Sequence, residues 1–188
     1  MAATPSTMLP LGTIAPDFSL FDTVSGHTLT LAALQGDTGT LIMFICNHCP
    51  YVKHLLPALV PLVTQYRALG VNTVAINAND VSLYPDDAPD KMQALAAELG
   101  NPFAYLYDET QTVAQAYQAA CTPDFYLFDK ELRCVYRGRF DASTPKNNLP
   151  VTGAELRHAL AQLVAGAPIP AEQWPSIGCN IKWKAVPA

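Results

Sequence analysis

Residues 41–50 read LIMFICNHCP, and the fold class of the chain follows from them. The continuously apolar run 40–45 predicts a central strand that is covered on both faces. Residues 50–69 begin with a proline and end before Gly70, a pattern that predicts a helix. Cys46 and Cys49 form a C-x-x-C motif between the two, and this placement is typical of thiol–disulfide chemistry.

The spacing of the two cysteines suggests how they work. Residues three apart in a helix share one face, so the two sulfurs can come within bonding distance. We expect Cys46 to lie among the unpaired N–H groups of the helix N-terminus, which favour a thiolate, and to be the attacking sulfur. Protonated His48 would add positive charge beside Cys46 and make the disulfide more oxidising. Two other interpretations stay open: a metal site with ligands from His48, His54 or Cys121, and two inert core cysteines.

Composition limits the class of protein. The chain has 188 residues, 50% of them apolar and 14% charged, with a formal charge of −5. The length predicts a single domain over residues 1–188. An N-terminal arm and a C-terminal tail would leave a core from about 12 to 165. The acidic balance argues against nucleic acid as a partner, and the apolar runs are too short for a membrane. The N-terminus lacks signal-peptide character, so we expect a cytoplasmic protein whose disulfide is transient and catalytic.

The remaining patterns alternate between strand and helix. Strands are predicted at 18–21, 27–30, 71–77, 103–107, 125–128 and 134–139. Helices are predicted at 31–34, 90–99, 111–119 and 152–164, the last with Thr152 as N-cap and Glu155 in a capping box. Residues 1–11 are expected to form a frayed arm and 167–188 a proline-rich tail. This order predicts an α/β fold with a central mixed sheet flanked by helices on both faces, an N-terminal extension and a C-terminal tail.

Several segments match those of a known group of proteins. Residues 12–20, GTIAPDFSL, are similar to the G-x-x-A-P-D-F-x-L opening of peroxiredoxins and related redoxins. Residues 44–50 hold the thioredoxin-type motif, and 121–129, CTPDFYLFD, resemble the T-P segment that keeps a cis-proline beside the active site. The tail segment 175–184 is similar to the same group. The chain therefore resembles the thioredoxin superfamily, and more closely its peroxiredoxin-like (redoxin, AhpC/TSA type) branch with a C-x-x-C motif, which implies a thioredoxin-like fold.

One position departs from the peroxiredoxin pattern P-x-x-x-T-x-x-C. When Cys49 is aligned with the peroxidatic cysteine, Cys46 takes the threonine position and Ile42 the proline position. A second thiol therefore replaces the residue that would orient peroxide, which favours disulfide exchange over peroxidase activity. If peroxide does react at Cys49, Cys46 can resolve the sulfenic acid as an internal disulfide. Arg137 and Arg139 are candidates for the peroxiredoxin arginine.

Together these observations predict a thiol–disulfide oxidoreductase, with a thiol peroxidase and a metal-carrier module as alternatives. The catalytic residues would be Cys46, Cys49 and His48, and the active-site wall would hold Asn47, Pro50, Thr122, Pro123 and Cys121. With Pro123 cis, the Thr122 backbone could pair with an extended substrate strand. Expected partners are protein or small-molecule disulfides, peroxides in the second case, and an upstream thiol reductant, with no metal and no other cofactor.

For several other residues the sequence allows two interpretations. Cys121 either takes part in exchange or is a small buried residue, and Cys179 is either a resolving thiol from the tail or a packing residue. Cys134 is expected to be structural. Lys53 could lower a thiol pKa, or simply lie on a solvated helix face. A polar loop that follows a predicted strand would shape access to the site, through Asp80, Tyr84, Asp86 and Asp87.

Overall fold

The computed structural model describes residues 3–185, so residues 1–2 of the expected arm and 186–188 of the expected tail lie outside the described part. The strands are β1 (Ala3–Pro5), β2 (Ser19–Asp22), β3 (Thr28–Thr30), β4 (Gly39–Phe44), β5 (Val71–Asn77), β6 (Ala104–Tyr107), β7 (Cys121–Thr122), β8 (Asp124–Asp129), β9 (Cys134–Gly138) and β10 (Ile177–Asn180). The helices are α1 (Leu31–Leu34), α2 (Pro50–Arg67), α3 (Pro89–Glu98), α4 (Thr112–Ala116) and α5 (Ala154–Val164), with a 3-10 turn at Pro85–Asp87.

A seven-stranded mixed sheet forms the centre, in the order β3–β2–β6–β5–β4–β8–β9. β4 pairs in parallel with β5 and antiparallel with β8, and all six of its residues are buried. Leu41 and Met43 pack on one face of the sheet, and Ile42 and Phe44 on the other, because successive side chains of a strand alternate. The apolar run therefore forms a central strand covered on both faces, as predicted.

Helices cover both faces of this sheet. α2, α3 and α5 pack on one face through residues such as Leu59, Met92 and Leu160. α1 and α4 pack on the other face through Leu31 and Val113. The predicted α/β architecture, a central mixed sheet flanked by helices on both faces, is confirmed. Within residues 3–185, no helix has both the length and the apolar character that crossing a membrane requires.

The two ends of the chain form a second, three-stranded sheet that the sequence patterns do not predict. β10 lies between β1 and β7 and pairs antiparallel with both. The expected arm and the expected tail therefore each contain a strand. β1 has three residues and includes a proline, and the IGCN sequence of β10 shows no apolar alternation. Their pairing depends on a contact between distant parts of the sequence, which local propensity does not encode.

Helix ends also differ from the prediction. α5 begins at Ala154, with Gly153 at the N-cap position in a left-handed conformation (φ 66°) instead of Thr152. The expected capping box does not form, because Glu155 accepts a hydrogen bond from Arg139 Nε at 2.8 Å. α4 ends before the predicted residue 119, since Gln118 also has a left-handed φ of 54°.

Candidate active site

The candidate active site lies at one edge of the main sheet, where β4 and β5 end and β8 begins. β4 and β5 are parallel, so their C-terminal ends are adjacent, and the C-x-x-C motif follows β4 directly. β8 runs antiparallel to β4 with Asp124 opposite Phe44, so its start reaches the same edge. The Thr122–Pro123 peptide bond just before β8 is cis, as the sequence predicts. The topology thus brings the two motifs together.

The start of α2 determines which cysteine meets the helix N-terminus. α2 begins at Pro50, so Cys49 occupies the N-cap position and residues 46–48 stay outside the helix. Proline suits the first helical position because its φ is already helical and no N–H is lost there. Cys49 is therefore the cysteine next to the unpaired amides of the first helical turn. The sequence pattern predicts this position for Cys46. Both cysteines are buried, with Cys46 1% and Cys49 0% exposed.

Both sulfurs converge on Thr122. Cys46 Sγ lies 3.4 Å from Thr122 Oγ1, and Cys49 Sγ lies 3.2 Å from the Thr122 carbonyl oxygen. The two thiols also interact with each other, since each is the largest cause of the shift in the other's pKa. Both cysteines are free thiols, so the site is a reduced dithiol whose sulfurs are already in contact.

The negative charge of this dithiol is stabilised on Cys49. The pKa of Cys49 is lowered to about 4, and the hydrogen bond from Cys46 is the largest cause. The Cys179 thiol and the backbone amides of Val52 and Cys179 also lower it, whereas burial raises it. The same hydrogen bond, burial and the nearby charge of Asp87 raise the pKa of Cys46 well above its usual value. These shifts favour a thiolate on Cys49 and a proton on Cys46, whereas the sequence pattern predicts the thiolate on Cys46.

A buried carboxylate, Asp87, holds the C-x-x-C segment in place from the loop after β5. Its Oδ1 accepts from the backbone amides of Asn47 at 2.8 Å and His48 at 3.3 Å. Its Oδ2 accepts from Asn79 Nδ2 at 2.8 Å and lies 2.6 Å from His48 Nδ1. The sequence marks Asp87 only as one of several acidic residues in a loop after a strand. Its complete burial, which makes it the organiser of the site, has no signature in the local sequence.

The His48 ring lies between Asp87 and the redox pair. Its Nδ1 is 2.6 Å from Asp87 Oδ2 and 4.0 Å from Cys46 Sγ. The ring stacks on Tyr84, with the ring centroids 5.4 Å apart. Protonation of His48 would therefore neutralise Asp87 and place positive charge next to Cys46.

Asn47 links the motif to two other elements. Its Nδ2 donates to the Asp86 carbonyl oxygen at 3.0 Å, and its Oδ1 accepts from the Tyr105 hydroxyl of β6 at 3.0 Å. Asn47 thus fixes the position of the turn between the two cysteines. Pro50, the other predicted wall residue of this segment, is exposed at the first position of α2.

Two of the remaining cysteines are buried thiols with raised pKa values. Cys121 is fully buried next to Thr122, its thiol donates to the Pro123 carbonyl oxygen at 3.7 Å, and burial raises its pKa far above the usual value. Cys134 lies in the core on the opposite face of the sheet, where burial raises its pKa to about 12. Both environments fit packing residues more closely than reactive thiols.

Three basic candidates have partners other than the sulfurs. His54 Nε2 lies 2.8 Å from Ser143 Oγ. The side chains of Arg137 and Arg139 bind Gln173 and Glu155, respectively. In the described structure neither guanidinium is hydrogen bonded to Cys46 or Cys49, and both arginines stay candidates for the role that the resemblance suggests.

Among the described residues, one cluster offers metal-ligand atoms close together. These atoms belong to Cys46, His48 and Asp87 and all lie within 4.8 Å of one another. Cys49, His54 and Cys121, which the sequence offers as ligands, are not part of it. Both Asp87 oxygens already accept hydrogen bonds from the surrounding loop, and a metal would have to displace the 2.6 Å contact with His48. The arrangement favours a positioned dithiol over a metal site.

β10 from the C-terminal segment completes the site. Its register pairs Cys179 with Thr122 and Asn180 with Cys121. The backbone edge of β7, which was expected to be open to a substrate strand, is therefore occupied by the chain itself. The fit is close, because a Cβ atom at Gly178 would overlap the Thr122 carbonyl oxygen.

Comparison with known proteins agrees with this geometry. The sequence profile of the AhpC/TSA family matches residues 11–137. The structure of an uncharacterized conserved protein from Geobacillus kaustophilus is 55% identical, with a TM-score of 0.97, and the match covers 100% of this chain and 99% of that chain. A hypothetical protein from Sinorhizobium meliloti 1021 is 44% identical, with a TM-score of 0.94 and coverage of 97% and 100%. A thiol:disulfide interchange protein from Bacteroides sp. is 18% identical, with a TM-score of 0.64 and coverage of 85% and 93%. The curated proteins include no significant match.

The fold and the dithiol define a redoxin of the thioredoxin superfamily that carries a C-x-x-C motif. The chain belongs to the AhpC/TSA family. The thioredoxin-like fold that the sequence resemblance implies is confirmed, and a redox function is supported.

Proposed function

We propose that the chain is a thiol–disulfide oxidoreductase in which Cys49 is the attacking thiolate and Cys46 the resolving thiol. The proposal rests on the contact between the two sulfurs, with Cys49 at the start of α2 and its pKa lowered to about 4. A thiolate is the nucleophile in disulfide exchange, and at this pKa Cys49 is ionised at neutral pH. The fold shared with the thiol:disulfide interchange protein from Bacteroides sp. supports the same reaction class.

The reaction proceeds in two exchange steps. The Cys49 thiolate attacks one sulfur of a substrate disulfide, the substrate S–S bond breaks, and the released thiolate takes up a proton. Cys46 then attacks Cys49 Sγ, which closes the Cys46–Cys49 disulfide and releases the second substrate thiol with the proton of Cys46. An upstream thiol reductant restores the dithiol by the reverse exchange.

The change of state at Cys49 also prepares Cys46 for the second step. The largest cause that raises the pKa of Cys46 is its hydrogen bond to Cys49. This cause disappears once Cys49 is held in a mixed disulfide, so Cys46 loses its proton more easily. Thr122 Oγ1, which lies 3.4 Å from the Cys46 sulfur and lowers its pKa, favours the same ionisation.

Small disulfides suit this site better than extended polypeptides. The edge of β7 beside the cis-proline is already paired with β10, so a protein segment could add a strand there only by displacing β10. Cys46 and Cys49 are also buried, which favours a small substrate over a large one. Protein disulfides stay the alternative substrate class, and a cytoplasmic location stays a prediction.

Turnover of a small aromatic disulfide in the presence of a dithiol reductant tests the proposal. Cys49→Ser should reduce the rate to that of the reductant alone, because no thiolate remains at the start of α2. Cys46→Ser should turn over more slowly than wild type, because the Cys46–Cys49 disulfide cannot close. Cys134→Ala, a change in the opposite core, is the matched control and should keep the wild-type rate. Wild-type turnover by Cys49→Ser would overturn the proposal.

A thiol peroxidase is the second candidate, because a thiolate at a helix start can also attack peroxide. The Cys49 thiolate would attack one peroxide oxygen and break the O–O bond, giving a sulfenic acid and an alcohol or water. Cys46 would then attack Cys49 Sγ, closing the disulfide and releasing water. Acid-quenched thiol counts after hydrogen peroxide is added to the reduced protein separate the two functions. Oxidation far faster than that of a free thiol supports the peroxidase, and oxidation at the free-thiol rate leaves disulfide exchange alone.

A further inference from the structure

A third thiol lies against Cys49. β10 pairs antiparallel with β7, and its register places Cys179 directly opposite Thr122. Cys49 Sγ lies 3.2 Å from the carbonyl oxygen of Thr122, so Cys179 and Cys49 meet at the same peptide group. Cys179 is close enough to Cys49 for its thiol and its backbone amide to lower the pKa of Cys49. Cys49 therefore has a thiol neighbour on each side.

The other two cysteines do not share this arrangement. Cys46, Cys49 and Cys179 belong to one buried cluster on the α2 face of the sheet. Cys134 belongs to the cluster on the opposite face. Cys121 precedes Thr122 on β7, and its thiol donates to the Pro123 carbonyl oxygen. Cys46 and Cys179 thus lie on either side of Cys49, whereas Cys121 and Cys134 are not part of this cluster.

We propose that Cys179 is a third redox thiol that competes with Cys46 for Cys49, an inference that builds on the thiol–disulfide function proposed above. In the oxidised protein, the Cys179 thiolate attacks Cys49 Sγ of the Cys46–Cys49 disulfide. The Cys49–Cys179 bond forms, the Cys46–Cys49 bond breaks, and Cys46 leaves as a thiolate that takes up the proton given up by Cys179. No electrons enter or leave, so one disulfide moves between two positions. The same attack on a mixed disulfide at Cys49 would release the substrate thiol.

The exchange has two consequences for the molecule. It leaves Cys46 as a free thiol, while Cys49 remains oxidised in a disulfide with Cys179. It also joins β10 covalently to the start of α2, so the C-terminal strand would be tied to the site in one disulfide form and held only by β-pairing in the other. Burial raises the pKa of Cys179 to about 12, so the exchange should become faster as the pH rises and more of the Cys179 thiolate forms.

Disulfide mapping of oxidised protein tests the proposal. Reduced full-length wild type and Cys46→Ser are each treated with one equivalent of 2,2′-dipyridyl disulfide, quenched with acid, alkylated with N-ethylmaleimide, digested and analysed by mass spectrometry. In Cys46→Ser we expect a Cys49–Cys179 linked peptide as the main product. In Cys46→Ser/Cys179→Ser we expect a lasting pyridyl adduct on Cys49. A lasting adduct on Cys49 with an alkylated Cys179 in the single variant would overturn the proposal.

Wild type provides a second test that does not depend on a substitution. Oxidised wild type should contain the Cys49–Cys179 linkage beside Cys46–Cys49, and the linkage should form faster at about pH 9 than at about pH 7. Absence of the linkage at both pH values would overturn the role of Cys179. A Cys46–Cys49 linkage in wild type together with a stalled adduct in Cys46→Ser would overturn the role of Cys179 and leave the proposed function intact. Absence of any Cys46–Cys49 linkage in wild type would overturn the proposed function, and this inference with it.

Discussion

Cys49 has an environment unlike that of the other cysteines in the chain. Burial raises the pKa of Cys121, Cys134 and Cys179, because a charged thiolate loses its hydration there. Cys49 is equally buried, yet its pKa is lowered, since Cys46, Cys179 and the first turn of α2 all donate toward its sulfur. At Cys49 the nearby hydrogen-bond donors therefore lower the pKa more than burial raises it.

The pH profile of Cys49 alkylation should show this ionisation. The group is an acid with a lowered pKa, so the thiolate is present above about pH 4 and is lost as the pH falls through that value. We expect the rate with iodoacetamide to be flat from about pH 8 to about pH 5, whereas an ordinary thiol slows roughly tenfold per unit below its pKa of about 8.5. Site-resolved mass spectrometry provides the rates. A decline that begins between pH 8 and 6 would disagree with the assignment.

Asp87 sets the position of the motif, and its charge acts on Cys46. Asp87→Asn replaces one acceptor oxygen by a donor, which leaves at least one of the amides held by Asp87 without a partner. We expect the free energy of unfolding to fall by about 1–3 kcal/mol, as for a buried unsatisfied group. Asp86→Asn, at an exposed neighbour, is the matched control and should stay within about 0.5 kcal/mol of wild type. Equal denaturant midpoints for the two variants would contradict this role for Asp87.

At the scale of elements, local patterns predict the main sheet and its helices well. β5 matches its predicted range of 71–77, and α2 begins at the predicted Pro50, because an apolar strand run and a proline at a helix start are local signals. The sheet of β1, β10 and β7 could not be predicted, because its strands are short and pair across the whole length of the chain. The cysteines could be found from their spacing, whereas the thiolate position depends on the residue at which α2 begins. Asp87 and Cys179 required the tertiary structure.

The close approach of β10 to β7 can be tested at Gly178. An alanine Cβ there would overlap the Thr122 carbonyl oxygen, so Gly178→Ala should push β10 away from β7. We expect a loss of about 1–3 kcal/mol in the free energy of unfolding and faster deuterium uptake by a peptide covering residues 177–181. Ile177→Ala, at a half-exposed position of the same strand, is the control and should keep slow uptake. Equally slow uptake in both variants would contradict the close packing.

At the scale of the whole molecule, the site extends beyond the part matched by the family profile. The profile covers residues 11–137, whereas β10 lies at Ile177–Asn180. The structure from Geobacillus kaustophilus matches the full chain with a TM-score of 0.97, so it shares the overall path that brings the C-terminal segment back to the redox pair. The complete chain, not the profile segment alone, is therefore the functional unit that we propose.

A buried acid on the other face of the sheet couples global stability to pH. Asp124 is fully buried, accepts the Tyr126 hydroxyl at 2.8 Å through Oδ2, and has no partner for Oδ1 among the described residues. Burial raises its pKa to about 8. The folded chain therefore binds one proton more than the unfolded chain between about pH 4 and pH 8, and stability falls as the pH rises through this range.

Asp124→Asn should remove this dependence, because asparagine keeps an acceptor for Tyr126 and does not titrate. Between about pH 5 and pH 7 we expect wild type to lose up to about 1.4 kcal/mol of unfolding free energy per pH unit relative to the variant. Urea unfolding of both proteins at several pH values provides the comparison. Parallel curves for the two proteins would show that Asp124 does not titrate in this range.

The identity of the first sulfur to react with a substrate disulfide tests the central claim most directly. Reduced Cys46→Ser/Cys179→Ser presents Cys49 without either neighbouring thiol, and reduced Cys49→Ser presents Cys46 without its partner. Both are mixed with a small disulfide at neutral pH, quenched with acid and mapped by mass spectrometry. We predict that the mixed disulfide forms faster on Cys49 in the first variant than on Cys46 in the second, because only Cys49 lies at the start of α2. A rapid adduct on Cys46 in Cys49→Ser, with Cys49 unmodified in the other variant, would contradict the assignment of Cys49 as the attacking thiolate.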